Sequence, residues 1–342
     1  MNSSLETRIG HELRELAAGQ PFAPDLEAIG RRVRQRHRRG LAVRGGTAAG
    51  AALGAVAAGA AVVLTASSAP VPAGPAVPAA RPSAPHSRLA TLAAVIQASS
   101  SQPPGNAWWL IIRTQSVGSR PPYVTYNLYT ESGAIYVADS PSQLRWAIAH
   151  QQNLADGTEA RQVAAARSAA TGDLAAARLR MINVSRNYLG LGLSPAAQHQ
   201  AWEQGLAAER AIYREKGIKR QPALPTPKTI QEQADNLLWT NSVSALSEGG
   251  GSPQVRAGVL RLISTISGVA VAGSVTGGQR TLTLTAGPEV FGGQGRQVLT
   301  ISASTGLPVS SRVGGLGPAT PPSLETYKVS RTTLAGIESG KS

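Results

Sequence analysis

Residues Gly45–Ala66, GGTAAGAALGAVAAGAAVVLTA, carry no charge and lie between an arginine cluster and a proline-rich run. Upstream, Arg31–Arg44 holds seven arginines in fourteen residues. Downstream, Ala69–Pro85 is broken by prolines, which lack the N–H and fix φ, so no helix continues there. At 1.5 Å per residue, 22 helical residues span about 33 Å, enough for a hydrocarbon core of roughly 30 Å. The basic flank places the N-terminal side in the cytoplasm by the positive-inside rule. The expected organisation is a basic helical head (1–44), a transmembrane helix (45–66), a Pro/Ala-rich linker (67–86) and an extracytoplasmic α+β domain (87–342). Expected localisation is the cell membrane, single-pass, with the N-terminus cytoplasmic and the C-terminal domain outside. A cleaved signal is one alternative, since Arg38–Arg39 precedes the run and Ser67–Ala69 has the small residues of a cleavage region. Against it, 44 residues precede the run, far more than the basic region of an ordinary signal. A buried soluble helix is the other alternative, although no polar residue repeats at helical spacing to give it a wet face.

Arg38, Arg39 and Arg44 are the expected membrane-interface residues, suited to anionic headgroups. Residues 1–44 carry +4 of the formal charge of +14, and the rest is scattered with few interleaved aromatics, so nucleic acid is not expected as a partner. Arginine outnumbers lysine 28 to 5, which fits a GC-rich coding bias of the actinobacterial kind. The chain has no cysteine, which excludes disulfides, thiolate metal sites and cysteine nucleophiles. The outer domain is therefore held by its core alone.

In the head, Leu5, Ile9, Leu13 and Leu16 form one short amphipathic stripe and Leu26, Ile29 and Val33 a second. Past the linker, Leu89, Leu92, Val95 and Ile96 predict a helix that Pro103–Pro104–Gly105 stops. Trp108–Thr114, Tyr123–Glu131 and Ala134–Ala138 read as strands, the last two joined at Ser132–Gly133. The middle, 142–247, has helical spacing over Gln162–Thr171, Asp173–Tyr188, Pro195–Lys216 and Ile230–Leu246, with Ser194 as N-cap and Pro195 at N1. Ser252–Pro253 opens another helix, with Val255, Val259, Leu262 and Ile266 on one face. Alternation then returns at Val269–Val275, Leu282–Leu284, Leu299–Ile301, Val309–Val313 and Leu324–Ser330, an antiparallel meander. Neither group of strands suffices alone, so one sheet built from both is expected.

The chain resembles actinobacterial single-pass membrane proteins that accompany extracytoplasmic-function sigma factors, whose outer domain is similar to the periplasmic lipoprotein carrier (LolA-like). The resemblance rests on Pro104–Trp109 with Arg113–Thr114, Leu128–Gly133, Leu224–Thr226, Ser252–Ala257 running into Ile266–Val269, Gln297–Ile301, Thr305–Gly306, and the basic two-helix head Leu5–Arg39. It implies an α+β fold whose curved antiparallel sheet, a half-barrel, packs on helices.

No catalytic signature is present, and no enzyme activity or cofactor is expected. Five histidines lie far apart without metal-ligand spacing, there is no G-x-S-x-G, and Gly292–Gly295 lacks the context of a phosphate cradle. Glu131 and Asp139 form a carboxylate pair only if the strand ends meet. Trp108, Trp109 and Trp146 either fill a core or line a pocket. Two functional classes stay open. One is a binding module holding a lipid or other hydrophobic ligand in a cavity lined by Trp109, Ile111, Tyr126 and Val271. The other is a signalling protein with a cytoplasmic partner at the head, such as a sigma factor, and an outer sensor; it lacks the zinc motif of many anti-sigma factors. Gly46, Gly50 and Gly54, spaced by four, share one helix face and suit a homodimer through the membrane helix.

Overall fold

The computed structural model describes residues 85–99, 108–185, 187, 189–215, 224–291, 295–314 and 321–339. All of them belong to the compact unit Ala51–Ser342. The head, the Gly45–Ala66 segment and nearly all of the linker lie outside the described residues, and with them Arg38, Arg39, Arg44, Gly46, Gly50 and Gly54. Among the described residues no helix is long and apolar enough to cross a membrane.

The two groups of strand-like runs join into one curved, open, antiparallel sheet of eight strands, and the fold is α+β. The elements are helix α1 (Pro85–Ala98), strands β1 (Trp108–Val117), β2 (Tyr123–Tyr129) and β3 (Ile135–Ala138), then helices α2 (Pro141–Ala149), α3 (Thr158–Thr171), α4 (Leu174–Ile182), α5 (Pro195–Glu215), α6 (Pro227–Gly249) and α7 (Pro253–Ile263). Strands β4 (Val269–Thr276), β5 (Gln279–Ala286), β6 (Arg296–Ser302), β7 (Pro308–Gly314) and β8 (Ser323–Thr332) follow, with a last turn of helix, α8 (Leu334–Glu338). Strand order is β3-β2-β1-β8-β7-β6-β5-β4. The seam between the halves is β1 on β8, in register from Trp108↔Thr332 to Val117↔Ser323.

Local chemistry sets the helix ends. The Asp173 carboxylate accepts from the N–H groups of Ala175 and Ala176, Thr226 Oγ1 from that of Thr229, and Pro227 and Pro253 stand in the first turns of α6 and α7. Helix α4 ends at Ile182, short of the span expected to Tyr188, because Asn183 caps it.

Helix α7 differs most from expectation. Instead of one apolar face it is buried almost all round: Val255 to Leu260, Leu262 and Ile263 are all inside. It is packed by α3, α1 and α6 and forms the middle of the main core with Leu238, Trp239 and Leu246 of α6 and Leu284, Leu299 and Ile301 of the sheet. Each such fully buried aliphatic side chain contributes about 1.5–3 kcal/mol. Polar side chains are enclosed with this core. Arg256, fully buried, donates to the carbonyls of Gly250 and Gly251 and so closes the α6–α7 turn. Gln162 of α3 donates to Asn241 of α6, which donates to the Met181 carbonyl at 2.8 Å. A second, smaller core lies on the opposite face of the sheet, where Leu110 and Leu128 meet Leu144 and Ile148 of α2 and Ile337 of α8.

Candidate functional site

Residues paired across an antiparallel ladder share a face. The register therefore sets Gln115 of β1 beside Glu325 of β8, Ser311 of β7, Leu299 of β6, Leu284 of β5 and Val271 of β4, all on the face that carries the main helices. Over β4–β6 that face is apolar and covered by the main core. Over β7, β8, β1 and β2 it is polar.

A hydrogen-bonded line crosses this polar half. Trp239 of α6 donates its indole N–H to Gln297 Oε1 at 2.7 Å, and Gln297 donates to Ser311 Oγ at 3.0 Å. The Ser311 hydroxyl meets Tyr327, whose phenol donates to Glu325 Oε2 at 2.7 Å. Glu325 Oε1 lies 3.4 Å from Arg113 Nη1, and Arg113 Nε donates to Thr125 Oγ1, shared with Asn127. Burial first, then the Glu325 charge and the hydrogen bond to it, push the Tyr327 phenol well above its ordinary pKa, while Arg113 and Ser311 pull it back. Tyr327 therefore stays a neutral donor to Glu325. At the rim, Tyr123 donates to Asp139; burial and that carboxylate raise its pKa to about 12.

Gln115 does not join the line. It is 3% exposed, two residues along from Arg113, and its Nε2 is sealed from solvent with no hydrogen-bond partner. A buried donor without an acceptor costs about 1–3 kcal/mol, so this position holds hydrogen-bonding capacity that the fold itself does not use.

Beyond Tyr129, on the same face, three carboxylates converge. Burial raises the Tyr129 phenol, with Glu248 of α6 and Glu159 of α3 adding to it and Arg113 opposing. Glu248 is raised well above the usual carboxylate range by burial and then by the charges of Glu159 and Asp156. Its Oε2 is sealed without a partner, although the residue keeps a partly exposed edge. Among the described residues no group of three or more His, Cys, Asp or Glu is placed to hold a metal ion.

The four expected cavity residues do not converge. Trp109 and Ile111 are buried, 5% and 2% exposed, on the polar half of the helix-bearing face. Trp109 donates to the Ser247 carbonyl and lies against Gly250 and Gly251, so the end of α6 fills the space beside it. Val271 shares that face but sits on β4, packed against the main core. Tyr126 pairs with Ile112 and so faces the opposite side, against the second core. None of the four lines the 340 Å³ cleft formed by Lys228, Gln231, Glu232, Asp235, Ser267, Gly268, Glu289 and Val290. Trp146 is half exposed and stacks on His150, not in a pocket. Glu131 and Asp139 take different partners, Arg331 and Tyr123, and form no carboxylate pair.

Sequence reasoning missed Gln115, Glu325 and Tyr327. The signal is the alternation Arg113-x-Gln115 and Glu325-x-Tyr327, polar residues at the inward parity of two adjoining strands, legible only once β1 is known to pair with β8. Compared with models of known protein families, with curated proteins and with solved structures, the chain has no match.

Proposed function

We propose that the chain is a membrane-anchored binding protein whose outer half-barrel holds a lipid or other hydrophobic ligand, with the ligand's polar end on the Arg113–Glu325–Tyr327 line. The observation that carries this reading is the division of the helix-bearing face. The main helices spend their apolar surface on β4–β6, whereas β1, β2 and β8 keep aromatic rings, an arginine and the unpaired Gln115 amide. A site for a ligand with one polar end needs that composition: apolar walls and a few converging polar groups. Trp109 and Ile111 remain as apolar neighbours of this site; Tyr126 and Val271 lie elsewhere and are not part of it.

The anchor supports the same reading. The Gly45–Ala66 segment holds the domain within a linker's reach of a bilayer, where such ligands are concentrated, with the domain on the outer side as the arginine cluster implies. The resemblance to lipoprotein carriers points the same way.

The test is displacement of a fluorescent fatty acid from the full chain in detergent. Gln115→Leu keeps the volume and removes the unpaired amide, and Arg113→Ala removes the cation. Both are expected to weaken binding about tenfold, the worth of one or two hydrogen bonds. Val271→Ala, under the filled half of the face, is expected to leave it unchanged. Equal affinities in all four proteins would contradict the placement of the site.

A further inference from the structure

The two edges of the sheet are built differently. Strand β3 is four residues long, and Asn153–Leu154 closes its outer side: the Ile135 N–H donates to Asn153 Oδ1 at 3.0 Å, and the Leu154 N–H donates to the Ile135 carbonyl at 2.9 Å. Strand β4 has eight residues, VAVAGSVT, with no charge, no proline and no bulge in its pairing with β5. No described strand pairs with its outer side. Edges are usually blunted by length, charge, proline or a bulge; β3 is blunted and β4 is not.

The hairpin shows which backbone groups β4 presents. Gly277 and Gly278 form a two-residue loop, both at positive φ, as that turn demands. Thr276 and Gln279, which flank it, are then a hydrogen-bonded pair, and bonding to β5 recurs at every second residue back along the strand. The alternate residues, Val271, Gly273 and Val275, point their N–H and C=O groups outward. Val269 agrees with this parity, since its N–H goes to the Ile266 carbonyl instead of to β5.

We propose that the β4 edge is the interface with a second copy of this chain, the two β4 strands pairing antiparallel about a twofold axis with Gly273 opposite Gly273. That register matches outward groups to outward groups and places Val271 of each copy beside Val275 of the other. It covers Val275, which is 69% exposed, the most open large apolar side chain among the described residues. The glycines at the axis leave the backbones free to approach; a Cβ there would meet nothing within 4 Å. Charge also matches. Arg280 lies beside Val275 on the same face, and Glu289 lies over Gly268 at the other end of the strand; neither makes an ion pair among the described residues. Antiparallel pairing brings the Arg280 end of each copy to the Glu289 end of the other, twice by symmetry. The contact is isologous and closes at two copies. It lies on the β4 edge, whereas the Arg113–Glu325–Tyr327 line lies on β1 and β8.

The test uses the full chain in isolated membranes and its freedom from cysteine. Cα atoms of a hydrogen-bonded antiparallel pair lie about 5.5 Å apart, within disulfide reach. Under mild oxidant, Gly273→Cys is expected to give disulfide-linked dimer about tenfold faster than Val137→Cys on the blunted edge. In the Gly273→Cys background, Arg280→Glu is expected to slow crosslinking severalfold, and adding Glu289→Arg to restore it by exchanging the two charges. Equal rates from the two cysteine positions, indifference to Arg280→Glu, or capture of the Gly273→Cys chain by a different protein would overturn the proposal.

Discussion

At Glu248, in the last turn of α6, a carboxylate meets three unfavourable influences: burial, the neighbouring charges of Glu159 and Asp156, and the negative end of its own helix. Its folded pKa lies well above the unfolded value, so between the two the folded chain binds more protons than the unfolded one. Stability from this group is then fully present at acid pH and is lost as pH rises through the folded pKa. Glu248→Gln is expected to unfold at a higher temperature than the parent at pH 7.5, by about 1–3 kcal/mol of stability, with the gain vanishing near pH 4. Thermal denaturation at the two pH values checks this; a gain of the same size at both would mean that packing, not charge, is responsible. Tyr327→Phe, which deletes a buried hydroxyl donating to Glu325, is expected to cost about 1 kcal/mol in urea denaturation.

Among the elements, α7 makes the tightest contact. A Cβ added at Gly258 would fall 1.7 Å from the Ala166 carbonyl oxygen of α3, a backbone atom that cannot move without parting the two helices. Gly258→Ala is expected to destabilise by about 3 kcal/mol. Gly205→Ala in α5, where the added methyl meets nothing within 4 Å, is expected to stabilise by about 0.5–1 kcal/mol through helix propensity. Chemical denaturation of the pair checks both signs. The elements were largely legible in the sequence because their signals are local. Pro195 and Pro253 mark helix starts, and the Val269–Val275 alternation marks a strand. Burial of α7 on every side was not legible, since a face that packs on another helix looks polar-tolerant when it holds Arg256 and Gly258. The polar line of the candidate site was hidden for a related reason. Its residues come from α6, β1, β2, β6, β7 and β8, and only long-range register brings Arg113 to Glu325. Tyr126 and Trp109 both stand in aromatic, strand-like runs, but the pairing of Tyr126 with Ile112 and the strand's period of two send them to opposite faces.

In the whole molecule, the β1–β8 seam binds the two ends of the α+β domain along the full length of both strands. Neither end has a complete sheet without the other, so thermal unfolding of the α+β domain is expected as one cooperative transition, with calorimetric and van't Hoff enthalpies in agreement. Two transitions assignable to residues before and after 221 would contradict the shared sheet. The same seam places Arg113, Gln115, Glu325 and Tyr327 together, so the fold and the proposed site depend on one feature. The most direct measurement of that site is mass spectrometry of small molecules retained by the full chain after gentle detergent extraction. The account predicts one hydrophobic molecule per chain, held by the parent and by Val271→Ala and lost from Gln115→Leu and Arg113→Ala. A parent chain that retains nothing beyond detergent, or retention alike in all four proteins, would contradict it.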